Sequence, residues 1–316
     1  MKKRTIIALI VAGLLIIAGG ILTVLGLSFA GESVAESKLI RQEITIQERF
    51  DTIAIDTADC DVKFAMFSGR DDCMVEVHAY ENVKHTAVVE NGTLKIQMID
   101  ERNWTDHISI GRTESMVMTV YLPEAEYESL QVRTTTGDIT LAQEPVFLET
   151  LLRTSTGDIS CVGAGGDALD CMTSTGDISV QNSGPNMLKL QSNTGDFKVS
   201  TVAGDEIHMK TNTGDVDAGN VNAQMFSCQT ETGDVELEKV LADDYLQIRT
   251  DTGDVGVENC DAGKVDIETD TGDVEGYFLT PKWFSAFSDT GNVTVPNTPE
   301  GGECRIQSDS GDIHFK

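Results

Sequence analysis

The chain has 316 residues, 23 Lys plus Arg against 52 Asp plus Glu, and a formal charge of −29. That length suits one large β domain or two ordinary ones, and a hydrophobic content of 40% is that of a globular protein. So lopsided a charge argues against nucleic acid or anionic lipid headgroups as partners through bulk electrostatics.

In chain order, Lys2, Lys3 and Arg4 precede an uncharged stretch whose residues 6–27 are almost wholly apolar. That run is long enough to cross a ~30 Å hydrocarbon core, and the basic residues on its N-terminal side keep that end in the cytoplasm. The expected organisation is a cytoplasmic tail at 1–4, a transmembrane signal anchor at 5–29 and a linker at 30–40, with the remainder outside the cell. Ser28-Phe29-Ala30 offers a signal-peptidase site as the rival reading. The apolar run exceeds the ~7–15 residues of an ordinary signal core, which favours an uncleaved, single-pass anchor.

Residues 41–127 read as a divergent first coil plus a β-rich insertion. Ile53, Ile55, Thr57, Cys60, Val62 and Phe64 fit the repeat described below, with Cys60 where its turn glycine would stand. The insertion has strand patterns at 73–79, 87–90, 94–98 and 116–122, and Asn91-Gly92 is a strong hairpin signal.

From residue 128 to 316 a pentapeptide, T-x-T-G-D, recurs with small variations. Its glycines are Gly137, Gly157, Gly176, Gly195, Gly214, Gly233, Gly253, Gly272, Gly291 and Gly311, spaced by 19 or 20 residues throughout. Such regularity marks a solenoid. Before each motif alternate residues are apolar (Leu188 and Leu190, Ile207 and Met209, Leu246 and Ile248), and after it comes a β-branched or aromatic residue such as Ile178, Phe197 or Val216. Each copy is therefore one coil with a strand on either side of the turn. The inward parity runs through both threonines, and the next inward residue lies three further on. The turn glycine absorbs the extra residue with a positive φ. Val202, Val221, Val240, Cys260 and Leu279 supply a third inward row. The predicted fold is all-β: a β-helix- or β-roll-like solenoid of about ten coils, preceded by a transmembrane helix.

The aspartates after the turn glycines stack like charges at strand spacing. Calcium would compensate them, with Asp254, Asp273 and Asp312 as the candidate ligands. One carboxylate per coil falls short of the six to eight oxygens that the ion takes, so the favoured role is to accept hydrogen bonds at each corner. The middle residue of T-x-T changes along the array from Thr135, Ser155, Ser174, Asn193 and Asn212 to Glu231, Asp251, Asp270, Asp289 and Asp309. The acidic half of this outward row, together with Trp104 in the polar segment 100–107, is the candidate partner-contact surface. An ice-binding role needs both threonines facing outward, which the parity opposes.

Cys161, Cys171, Cys228, Cys260 and Cys304 occupy slots that other coils fill with apolar residues, so they read as buried thiols. Cys60 with Cys73 is the one pair placed to staple the first coil to the insertion. The five histidines show no metal-ligand spacing, and no nucleophile elbow, P-loop or dinucleotide motif is present. No catalytic residue and no cofactor are expected. The sequence ends at Phe315-Lys316 without an obvious cap, which suggests homo-oligomerisation or strand docking through the C-terminal coil.

The N-terminal anchor, Phe50-Asp-Thr-Ile53-Ala-Ile55, Val89-Glu-Asn-Gly92-Thr-Leu94, Val120-Tyr-Leu122-Pro123 and the T-G-D-[IV] coils resemble a bacterial domain family of unknown function labelled "putative adhesin". The resemblance covers about residues 40–316. It implies a β-solenoid in the cell envelope and no established catalytic residues, and some relatives accompany envelope-stress signalling. The leading expectation is a membrane-anchored, non-enzymatic solenoid that serves as an adhesin or envelope scaffold and meets another envelope protein or a cell-wall polymer. The alternatives are an accessory regulator contacting another membrane protein and, last, a carbohydrate-active β-helix enzyme.

Overall fold

The period-two apolar runs become pairs of strands, one on either side of each turn glycine, and successive pairs stack in parallel register. A computed structural model describes residues 39–102, 114–142 and 146–316. The predicted anchor at 5–29 and Trp104 lie outside them. Among the described residues there is no helix, and hence none long and apolar enough to cross a membrane. Ile40–Glu101 and Ser115–Lys316 form one unit, whose strands join in one continuous sheet wound as a β-solenoid.

The inward rows are those expected. On the strands before the turn, Leu188, Ile207, Phe226, Leu246 and Val265 stack in register and are fully buried. On the strands after it, Ile178, Phe197, Val216, Val235, Val255 and Val274 do the same. Val202, Val221 and Val240 form the third row. Leu279 does not join it: the register shifts between Glu258 and Cys260, so Phe278 pairs with Cys260 and Leu279 is left 57% exposed.

Five successive coils have a second corner that their sequence hides. Asn182, Thr201, Asn220, Lys239 and Asn259 all take φ near +50°, one per coil, just before the third row. Three of the five are Asn, which tolerates this left-handed conformation best among non-glycine residues, together with Asp.

Register confirms the divergent first coil. Ile53 and Ile55 lie beside Leu130 and Val132, and Gly137 packs on the carbonyl of Cys60, the residue in the turn-glycine position. The insertion closes this end of the stack. Thr93–Asp100 and Met116–Leu122 add one more parallel layer beneath the first coil. Val83–Glu90, Cys73–Ala79 and Ile40–Ile46 then continue it in antiparallel fashion. Asn91 and Gly92 both have positive φ, as the hairpin signal requires.

The other end departs from chain order. Gly302–Ser310 pairs with Val255–Thr271 on one side and with Lys282–Ser288 on the other, and Ile313–Phe315 likewise lies between Val274–Phe278 and Val293–Thr294. The chain skips one level, lays down the outermost coil, and returns to fill the gap. Phe315-Lys316 is therefore not the open end that the sequence suggested; the free edge belongs to Lys282–Ser288. Beneath it Phe278, Phe284 and Phe315 close the core with ring centroids 5.3 to 6.3 Å apart. Lys282, only 3% exposed, is neutralised by Asp261 and donates to the Ala262 carbonyl at 2.9 Å.

Two predictions follow from this packing. Gly214 has φ +150°, and a Cβ there would lie 2.1 Å from the Gly195 carbonyl oxygen. Gly214→Ala is expected to cost on the order of 3 kcal/mol in urea unfolding, because neither the dihedral nor the backbone contact can relax without separating two coils. His85 is buried, neither ring nitrogen has a hydrogen-bond partner, and burial outweighs the opposing charge of Asp59 to push its pKa down from 6.5 to about 4. The unfolded chain therefore binds this proton more readily. Stability is full above pH ~6.5 and falls by up to roughly 3 kcal/mol as the pH drops toward 4. In denaturant titrations at several pH values, His85→Leu is expected to flatten that decline.

Candidate functional site

The conspicuous chemistry lies at the repeated corner. The first residue of each T-x-T faces inward and is buried, and its hydroxyl donates to the turn-glycine carbonyl of the preceding coil: Thr154 to Gly137 at 3.1 Å, Thr211 to Gly195 at 3.2 Å and Thr230 to Gly214 at 3.1 Å. The second threonine does not face inward as the parity predicted. Thr156, Thr175, Thr194 and Thr213 are exposed and stack as isolated bridges. The inward–outward alternation breaks after the first threonine, both in coils whose strand stops before it, at Gln191 or Lys210, and in coils whose strand runs on through both threonines, as in Val216–Thr232 and Val235–Thr252.

The aspartates accept hydrogen bonds, as favoured from sequence, but from the amide of the next coil rather than at their own corner. Asp158 Oδ1 accepts the Asp177 amide, Asp177 that of Asp196, Asp196 that of Asp215 and Asp215 that of Asp234, each at 2.8 Å. The candidate calcium ligands follow the same pattern: Asp254 Oδ1 accepts the Asp273 amide at 2.8 Å, and Asp273 Oδ1 the Asp312 amide at 2.7 Å. Their oxygens are directed along the stack instead of converging on one point. Among the described residues no group of three or more His, Cys, Asp or Glu is placed to hold a metal.

Glu231, Asp251, Asp270, Asp289 and Asp309 are all exposed, with Asp309 in a coil that lies between those of Asp270 and Asp289 because of the exchanged chain order. The sequence missed a denser acidic surface on the strands after the turn. There Asp217, Asp234, Glu236, Glu238 and Glu258 line an open groove of about 530 Å³. Burial and then the charges of Asp234, Glu258, Glu275 and Asp217 raise the Glu236 pKa above the ordinary carboxylate value. The Glu236 side chain lies over Gly256, where an added Cβ would fall 2.2 Å from Oε2. Only the register reveals this cluster, because its members are spread over separate coils.

All seven cysteines are buried and free, Cys60 and Cys73 included. Cys161 and Cys171 touch, with their sulfurs 3.9 Å apart and unjoined. Burial pushes the thiols of Cys60, Cys73, Cys228 and Cys304 up to about 12. They are inert packing groups rather than nucleophiles.

A stack of parallel coils pinned at one corner by Thr-Gly and Asp-amide ladders defines a β-solenoid. The Toastrack DUF4097 family model matches residues 50–239 and 205–316, and the chain belongs to that family. No curated protein matches it. Solved structures that resemble it include a "putative adhesin" from Bacteroides fragilis, at 14% identity over 88% of this chain and 97% of that one with a TM-score of 0.42. A second "putative adhesin", from Parabacteroides distasonis, matches at 12% identity over 88% and 98% with a TM-score of 0.45. A "putative lipid binding protein" from the same organism matches at 15% over 88% and 97%, also with a TM-score of 0.45.

The ladder makes a prediction about charge. Asp215→Asn keeps the Oδ1 acceptor and removes a like charge, so it is expected to leave stability unchanged or raised. Asp215→Ala deletes the acceptor and should cost about 1 kcal/mol. Calcium added at millimolar concentration is expected to leave the melting temperature of the unsubstituted protein unmoved, and a rise of several degrees would reinstate calcium as the compensating group.

Proposed function

We propose that this chain is a membrane-anchored, non-enzymatic solenoid displayed outside the cell, where it adheres to or scaffolds other envelope components. The observation that carries the reading is Lys2-Lys3-Arg4 followed by the apolar run at 6–27, ahead of a long regular array. The constant length of the coils supports a surface rather than a reaction centre, since catalytic β-helices build their sites on loops of varied length. Free, deeply buried thiols supply no nucleophile.

Topology is the decisive test. A single cysteine introduced at exposed Asp270 is expected to react with a membrane-impermeant maleimide in intact cells, and the protein should stay in the membrane fraction after an alkaline carbonate wash. Protection of that cysteine until the cells are opened would overturn the reading. In-cell crosslinking from the same position separates the two kinds of partner: capture of wall polymer or an external protein supports adhesion, whereas capture of a neighbouring integral membrane protein would replace it with accessory regulation.

A further inference from the structure

The outward face of the strands before the turn differs in charge from the rest of the molecule. On it Arg133 lies beside Arg153, Arg153 beside Met172, Met172 beside Gln191, Gln191 beside Lys210, Lys210 beside Gln229 and Gln229 beside Arg249. This row crosses seven successive coils without a carboxylate, bounded by Asp56 at one end and Glu268 at the other. At ~4.8 Å per coil it is roughly 29 Å long. The neighbouring row adds Lys189, His208, Ser227 and Gln247, with Asp170 as its one acid over the same coils. A cavity of about 250 Å³ lies over the middle of the track, lined by Lys189, His208, Lys210 and Arg249 together with glutamine amides.

Among the described residues, four of the cations on this track have no carboxylate partner. Elsewhere in the array Lys198, Lys239, Lys264, Lys282 and Arg305 each have a carboxylate within 4 Å. Arg249 reaches Glu268 at 3.5 Å, and His208 Nε2 reaches Glu206 at 3.4 Å. Among the described residues Arg133, Arg153, Lys189 and Lys210 have no ion pair, and Arg153 Nε is buried without a hydrogen-bond acceptor. With 52 acids available to 23 bases, unpaired cations gathered on one face are unmet demand for an anion.

We infer that this face binds a linear phosphodiester-linked polymer laid along the solenoid axis. Arg133 and Arg153 lie on adjacent coils, as do Lys189 and Lys210 across the two rows, and such pairs call for charges more closely spaced than the alternate-sugar carboxylates of an acidic glycan, whereas a phosphodiester backbone carries one at every unit. The guanidinium forks of Arg133, Arg153 and Arg249 match phosphate oxygens bidentately, and the amides of Gln191 and Gln229 serve as neutral donors between them. Neither row contains Phe, Tyr or Trp over these coils, so there is no platform for bases, and a polyol-type polymer fits better than a single-stranded nucleic acid. The net charge of the chain does not forbid contact, because fields from the far side are screened beyond ~8 Å at physiological ionic strength. The inference deepens the adhesive reading and rests on it for the polymer's location outside the cell; the binding chemistry does not.

The test uses the full chain in neutral detergent at physiological ionic strength, with fluorescently labelled inorganic polyphosphate as the probe and anisotropy as the readout. Polyphosphate is expected to bind, and the pair Lys189→Glu and Lys210→Glu to weaken it by about ten-fold or more. Lys198→Glu with Lys239→Glu makes the same change in net charge on side chains already paired with Asp217 and Glu238, and should leave binding within about two-fold. Lys189→Gln with Lys210→Gln should fall between the two pairs, and circular dichroism checks that all three fold. Absence of binding, equal loss in both charge-reversed pairs, or displacement by hyaluronate at equal charge concentration would overturn the assignment. Polyphosphate binding with a solenoid found inside the cell would keep the site and discard the adhesive reading.

Discussion

At the turn glycines adjacent coils approach too closely to admit a Cβ, and the rest of the structure depends on that contact. At Gly195 a Cβ would lie 1.9 Å from the carbonyl oxygen of Gly176, and the same clash recurs along the array. With no side chain there, the backbones close far enough for a buried hydroxyl to reach the preceding glycine carbonyl and for an aspartate to reach the following amide. One corner thus satisfies a carbonyl, an amide and a carboxylate per coil. The cost is a column of like charges at strand spacing, which charge-assisted hydrogen bonds offset. Because each coil must present these groups at the same height, coil length is held to 19 or 20 residues.

Stacking of this kind leaves an unsatisfied edge at each end, and the two ends solve the problem differently. At the N-terminal end the insertion changes the strand direction, so that antiparallel pairing and a hairpin replace a further coil. At the other end the chain builds its outermost coil early and threads its final residues beneath it. Phe278, Phe284 and Phe315 then shut the core, and the one charge in Lys282–Ser288 is buried against Asp261. Trp283 and Phe287 remain more than half exposed on that last strand.

What the sequence made legible was whatever residue identity alone determines. Glycine at a fixed interval announced the stack, β-branched residues at period two announced its inward rows, and Asn-Gly announced the hairpin. The parity of the threonines was not legible because Thr154 and Thr156 are the same residue, and only the backbone at the corner decides which of them faces the core. The second corner was invisible because Asn182, Thr201 and Lys239 share a dihedral rather than a chemical type. The exchanged coil order could not be read at all, since residues 282–294 and 302–316 fit the repeat template equally well. The charged faces fall in the same class: Glu236 and Glu258, or Lys189 and Lys210, become neighbours only once the register is known.

Periodicity of this strictness fixes the inside of the molecule and leaves the outside free to vary. Three inward rows and one corner hardly change from coil to coil, while the outward rows change sign along and around the stack. A net charge of −29 is therefore a poor description of any particular face. Beyond a screening length the molecule is an anion. At contact range it presents carboxylates on the strands after the turn and unpaired cations on the strands before it. The exclusion of polyanions drawn from composition rests on the first regime; in the second the register of the coils, and not the sum of the charges, sets which groups a partner meets.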